Sequence, residues 1–371
     1  MKHLAIGGLA LLALGGAAHA GGVERSDQSV GVLFQQGRYV EFTASYIQPD
    51  VSGVGTTLTP GRDSGSIGPD FNNVAFAYKD DINKNLSYAI IYDEPYGTNV
   101  TYPTGTGYFA AGTEADLVTR ALTGILQYNI AEPSSAFGGQ FSVYGGPRAQ
   151  YIRASATVPG VAGYSVNAES EFGYGYLIGT AWERPDLGMR ASLTYTSEIK
   201  HSLDTTETSR APGRTLRQSE SSLDTPESLA LELRTGITPT TVLFGSVRWV
   251  PWSQFVVNPP LFASFNTGFP LAFFEDDRIT YSLGIGQAIT KNVSVFGALG
   301  YEAETGSRTG NLNPADGFIR YTLGTTIKHD RATVTIAGRY TDIGDATTVN
   351  GGDFTDNSAW TTSVKIGLDL N

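Results

Sequence analysis

The stretch PESLALELRTGITPTTVLFGSVRWVPWSQF (Pro226–Phe255) decides the fold. Leu229, Leu231 and Leu233 alternate with Ala230, Glu232 and Arg234. After the break at Thr238-Pro239-Thr240, Leu243, Gly245, Val247 and Trp249 alternate with Phe244, Ser246 and Arg248. Successive side chains on a strand point to opposite faces, so the stretch predicts two antiparallel strands, each with an apolar face and a face carrying charge. In a water-soluble sandwich the apolar face would be the core. The pattern recurs along almost the whole chain, and a membrane barrel accounts for it more simply. Its apolar face would meet lipid, with Glu232, Arg234 and Arg248 lining a wet interior.

Outward from that stretch, about fourteen strand segments follow the same period, among them Arg38–Gln48, Leu86–Asp93, Glu169–Glu183 and Ala359–Leu370. The connections alternate in length. Asp80–Asn85, Glu132–Gly139, Arg184–Leu187, Thr238–Thr240, Thr290–Lys291 and His329–Asp330 are short. Pro49–Asp70, Glu94–Asp116, Ala154–Ala168, His201–Ser228, Ser253–Asp277, Thr305–Gly317 and Asp342–Ser358 are long. Short turns on one side and long loops on the other fit an even-stranded outer-membrane barrel, whereas a soluble sandwich has no reason to put its long loops at one end. The reading is therefore all-β, a single transmembrane antiparallel barrel over residues 38–371. Tyr39, Tyr78, Tyr128, Tyr151, Tyr195, Trp249, Trp252, Tyr340 and Trp360 fall near strand ends, where aromatic girdles sit.

Composition agrees. Hydrophobic residues make up only 40% of the 371, because every second strand residue faces water. Cysteine is absent, which excludes disulfides and thiolate metal sites. A net charge of −11 argues against nucleic acid as a partner. Met1–Ala20 reads as an export signal: Lys2 and His3, the apolar run Leu4–Leu14, and a cleavage site at Ala18-His19-Ala20. That leaves Gly21–Gly37 as a short segment on the inner side of the membrane before the first strand.

A barrel of this size needs something to fill or enter its lumen. The inward positions mix both signs: Glu41, Asp93, Arg148, Glu169, Glu171, Arg190, Glu232, Arg234, Arg248, Glu302, Arg320, Lys328 and Arg339. Pairing within this set would close the interior. The connection Ser253–Asp277 is rich in rings, with Phe255, Phe262, Phe265, Phe269, Phe273 and Phe274. Contiguous exposed apolar surface marks a binding site, while packed rings would form an outer core; a packed cap with a groove satisfies both. Opposite in character is the polar His201–Ser228 segment, which either folds over that groove or stays solvated.

Four stretches taken together resemble the FadL/TodX (OmpP1) family of outer-membrane transporters for long-chain fatty acids and hydrocarbons. They are Leu33–Gly53, Asn85–Pro103, Pro226–Phe255 with its Arg-Trp-x-x-Trp-Ser element, and Asp276–Gly306 with the following Asn313–Ile327. The resemblance implies a monomeric 14-stranded barrel in a Gram-negative outer membrane, inserted by the barrel-assembly machinery and surrounded by outer-membrane lipid. It implies capture of a lipophilic molecule, such as a fatty acid, by the outer loops. Sideways exit would follow at a kink in the third strand, which the resemblance aligns with Ser87 and Ala89, under an N-terminal hatch. Family members carry a longer hatch with an Asn-Pro motif that Gly21–Gly37 lacks, so this hatch is shortened or absent. For substrate binding the expected residues are Phe255, Phe262, Phe265 and Phe269 in the loop. Within the lumen Arg248 would hold a carboxylate head group, with Arg148 or Arg320 as second donor and Phe244 and Phe296 beside the tail.

Other classes of function fit less well. The histidines beyond the signal, His201 and His329, have no serine or acid arrangement of a triad around them, so no catalytic residue, metal ligand or cofactor is expected. A general diffusion porin, or a structural or adhesive barrel, is the alternative, and the Phe-rich loop argues against it.

Overall fold

The computed structural model describes residues 23–130, 138–214, 216–265 and 267–371. Fourteen strands form the wall. They are β1 (Tyr39–Asp50), β2 (Phe71–Asp81), β3 (Leu86–Asp93), β4 (Glu114–Asn129), β5 (Gln140–Val158), β6 (Tyr164–Arg184) and β7 (Met189–Thr196). The second half comprises β8 (Ser228–Thr238), β9 (Thr241–Val250), β10 (Arg278–Ala288), β11 (Val293–Glu302), β12 (Phe318–His329), β13 (Ala332–Ile343) and β14 (Asn357–Asp369). Each pairs antiparallel with the next, and β14 returns to β1 from Tyr39↔Asp369 to Asp50↔Ser358. Closure gives every strand of the wall a partner on both sides. No helix among the described residues is long and apolar enough to cross a membrane.

The two faces of the wall invert the arrangement of a soluble protein. Outward residues are large and apolar, with Leu323 73% and Tyr174 76% exposed, while Thr43, Ser45, Thr123, Gln127, Thr326, Ser363 and Lys365 are buried inside. A lipid-facing charge at mid-membrane would cost about 2–4 kcal/mol for Arg or Lys, which enforces this alternation. Outward-facing rings pair on the wall, as in Tyr340–Trp360 and Tyr176–Tyr195. Two expected girdle residues depart from the pattern: Tyr39 and Trp252 are buried, Tyr39 against Gly367 inside the wall and Trp252 in an aromatic cluster beneath the loops. Glu169 also departs from its expected place. A register shift between Ile152 and Ala154 reverses the faces of β6 locally, leaving Glu169 exposed and Glu171 bonded to the backbone N–H of Ser202.

On one side the connections are tight turns, and on the other they carry structure of their own. A hairpin, Ser202–Thr208 with Leu216–Ser222, extends the wall by pairing with the outer end of β6, so the polar loop expected there is largely ordered strand. Gly53–Gly55, Ala346–Thr347 and Gly352–Phe354 form a small outer sheet. The export signal, the cleavage site and most of the Glu132–Gly139 turn lie outside the described residues.

The segment from Val23 to the 3-10 turn Gly31–Phe34 sits inside the barrel. Val30, Val32 and Leu33 pack on the inward side chains Ala77, Ala89, Ile125 and Tyr144. Its polar groups join the wall: Ser26 Oγ donates to Asp93 (2.9 Å), and Arg148 donates to Gln28 Oε1 (3.2 Å).

Candidate substrate pathway

The Phe-rich segment and the hairpin together build a cap. A four-residue helix, Pro260–Ala263, starts after Pro259 with Pro260 in its first position, and its first N–H groups lack intrahelical partners. Glu207 on the hairpin supplies them. Its carboxylate, fully buried, accepts from the N–H groups of Leu261 (2.9 Å) and Phe262 (3.1 Å), from Tyr164 Oη (2.9 Å) and from Ser219 Oγ (3.0 Å). Phe262 then packs edge-on against Tyr164 at 5.1 Å. Phe262 and Phe265 thus belong to the core of the cap, whereas Phe269 is exposed and stacks on Phe273. His201 lies at the base of the hairpin, its Nε2 3.0 Å from Gln150 Oε1, and burial pushes its imidazole down to about 4.

Below the cap lies an apolar chamber of about 820 Å³, part of it open to solvent. Val23, Leu117, Val166, Leu203, Phe255 and Phe274 line it. Phe255 is therefore the one ring of the four expected in the loop that faces this space. Trp252 supports the chamber, 5.0 Å from Phe274 and edge-on to Tyr96 at 5.7 Å.

The wall is broken beside the chamber. The β2–β3 ladder ends at Phe76↔Tyr92, and pairing to β4 resumes only at Gly97↔Val118 in the short strand Gly97–Thr101. Between them Pro95 has no N–H to donate, and Thr119 Oγ1 replaces the ladder by bonding both N and O of Tyr96 (2.9 and 2.7 Å). Residues 23–25 run antiparallel along the break, through Arg25 N to Pro95 O and Gly97 N to Val23 O, each 2.8 Å. Phe71–Ala75 of β2 consequently have no ladder on that side. Asn73 and the carboxylate of Glu94 close the gap, with Val74 N–H donating to Glu94 (3.2 Å). Ser87 and Ala89 are not the kink: both sit in regular ladders on both sides, and the proline beyond Asp93 is what interrupts the strand. Glu94-Pro95 in the sequence was the available signal.

A second, polar chamber of about 1150 Å³, part of it open to solvent, lies along β7–β13. Arg248, Arg320, Phe244 and Phe296 line it, while Arg148 is elsewhere, bonded to Asp93 (3.2 Å) and Thr123 (2.8 Å). Arg248 holds Glu24 at 2.9 Å, an ion pair between wall and N-terminal segment. Phe244 and Phe296 lie across Gly284 and Gly324 and form, with Val242 and Ala337, an apolar floor toward the short-turn side. Among the described residues no group of three His, Cys, Asp or Glu side chains is placed to hold a metal ion.

The closed fourteen-stranded barrel is a fold that this chain shares with solved FadL-type outer-membrane channels. The chain superposes on a Pseudomonas aeruginosa FadL homologue with a TM-score of 0.76 at 15% identity, covering 96% of this chain and 97% of that one. It also superposes on the Pseudomonas putida toluene transporter TodX (TM-score 0.65, 10% identity, 97% and 100% covered) and the Ralstonia pickettii toluene transporter TbuX (0.62, 11%, 91% and 91%). No family model and no curated protein matches the sequence.

Proposed function

We propose that this protein is an outer-membrane channel that takes up hydrophobic small molecules, long-chain fatty acids or hydrocarbons, without chemical change. In this reading residues 1–20 are an export signal, the segment before β1 is a compact hatch, and residues 38–371 are the barrel. The observation that carries the reading is the apolar chamber set between the Phe-rich cap and the gap at Glu94–Gly97. In this reading a ligand enters under the cap, crosses the apolar chamber and leaves sideways into the bilayer at the gap, which Asn73 and Glu94 close at rest. An open diffusion porin is disfavoured because the segment from Val23 to Phe34 occupies the lumen.

Two measurements test this. Protein purified in mild detergent should bind labelled toluene or a fatty alcohol saturably and release co-purified apolar ligand to mass spectrometry. For the exit, the absence of cysteine allows a clean cross-link: the Asn73→Cys/Glu94→Cys variant should transport when reduced and stall when oxidised. Transport unaffected by a cross-link shown to have formed would refute sideways exit.

A further inference from the structure

Between β6 and the strand beside it the ladder is interrupted near its outer end. β6 pairs with the hairpin from Ser165↔Thr208 to Ala168↔Thr205, and with β7 from Leu177↔Thr196 to Arg184↔Met189. Both runs keep one register, yet residues 169–175 and 198–204 between them form no ladder pairs. On its other side the same chain stays paired, through Thr196↔Ser228, Ile199↔Thr225 and Ser202↔Ser222. The wall therefore holds a slit between β6 and β7, separate from the gap at Pro95.

Side chains fill this slit where backbone does not. Gly173 and Gly175 leave the inner face of β6 bare, and Ile199 and His201, both fully buried, lie across it. A Cβ on Gly173 would stand 2.5 Å from Ile199 Cγ2 and 2.6 Å from His201 Cε1, and one on Gly175 2.7 Å from Ile199 Cγ1. A few polar contacts hold the plug. Ser197 N–H donates to Tyr176 O (2.9 Å), Tyr176 N–H to Ser197 Oγ (3.0 Å), and Ser202 N–H to the carboxylate of Glu171 (2.8 Å). His201 keeps one ring bond, to Gln150, while its Nδ1 is buried without a partner, which weakens the closed arrangement. Behind the plug lies the apolar chamber: Leu203 on the same segment and Ala168 at the end of the slit both line it. In front, Phe172 and Tyr174 are exposed on the lipid face, and the exposed Glu198–Lys200 pair (3.7 Å) marks the height of the head groups.

We propose that this slit is a second membrane-side port, through which uncharged hydrocarbons dissolved in the outer leaflet enter the apolar chamber, with Ile199 and His201 as its plug. It rests on the uptake reading for the role of the chamber, and goes beyond it in supplying the channel from lipid as well as from water. Apolar molecules partition from water into lipid, so the leaflet holds the larger store of such a ligand. Opening moves the plug and breaks no ladder. The Glu171 carboxylate beside the slit, and a chamber lining without a basic side chain among the described residues, select against acids.

The full chain in lipid vesicles, probed with a dodecane that carries a diazirine, tests the port. Flash labelling of the peptides containing Leu117 and Phe255 reports arrival in the chamber. The Asn73→Cys/Glu94→Cys bridge keeps the third-strand side closed throughout. Probe presented in the lipid should then label the chamber, and a further oxidised bridge, Gly175→Cys/Ile199→Cys, should slow that labelling about tenfold. Reduction should restore it, while probe added from water still labels under the cap. Ile199→Ala, which needs no bridge, should speed labelling from lipid about tenfold or more, because it removes most of the plug. Undiminished labelling from lipid with both bridges verified by mass, or an unchanged rate in Ile199→Ala with heat-modifiable gel mobility intact, overturns the port. Labelling from water but not from lipid, with only the third-strand bridge present, overturns it as well. A chamber that takes no label from either side would refute the uptake reading, and the port with it.

Discussion

At the scale of single residues, two buried groups in the cap carry more than their positions in sequence suggest. Glu207 bonds two backbone N–H groups and two hydroxyls, and so ties the hairpin to the Phe-rich segment. Hydrogen bonds to a charged group contribute about 1.5–3 kcal/mol each, and Glu207→Ala leaves the helix N–H groups buried and unpaired. The expected outcome is a cap that opens: limited proteolysis within 253–277 accelerates at least about tenfold while the barrel keeps its heat-modifiable mobility. His201 responds to pH. Burial holds its folded-state value at about 4, below the 6.5 of an exposed imidazole. Below about 6.5 the unfolded cap takes up a proton that the folded cap refuses, so stability falls as pH is lowered from about 6.5 toward 4. Proteolysis of the cap should therefore speed up through that window in wild type and stay flat there in His201→Gln. Neither residue stood out in the sequence, because a lone Glu or His in a polar loop looks the same whether solvated or buried.

Among the elements, β3 and β5 show how local chemistry bends a regular wall. Pro95 ends the β3 ladder and lets the chain turn inward, where Thr119 and the N-terminal segment satisfy its backbone. In β5 the run Gly145-Gly146-Pro147 interrupts pairing to β4 between Thr123↔Arg148 and Leu126↔Gly145. A Cβ on Gly146 would stand 1.9 Å from the carbonyl oxygen of Gly124, which is backbone and cannot step aside. Gly146→Ala should cost about 1–3 kcal/mol and lower the midpoint of thermal unfolding in detergent; an unchanged midpoint would mean that the two strands separate freely there. The strands themselves were legible because each must satisfy lipid on one face and water on the other. The kink was not placed correctly from Ser87 and Ala89, since small residues permit a bend without causing one, while a missing N–H forces it.

For the whole molecule, wall and filling are separable. All fourteen ladders are made by strands alone, and the N-terminal segment attaches through side chains and through the break at Tyr96. Deleting residues 23–34 should leave a folded barrel and turn a closed lumen into a conducting one in planar bilayers. If conductance stays at the wild-type level, the segment is not what closes the lumen. The sequence by itself determined the wall: period-two alternation, tight turns alternating with long loops, and charges confined to one face follow from the bilayer, which acts on every strand alike. Even the strand number was readable, because each crossing repeats the same constraint. What only the tertiary structure decided is which inward charges meet. Arg148 finds Asp93, Arg248 finds Glu24 and Lys365 finds Glu41, while Arg190 and Arg234 face each other. Those pairings depend on strand register, on barrel closure and on the path of the N-terminal segment through the lumen. They are contacts between residues far apart in sequence, and alternation along one strand carries no information about them.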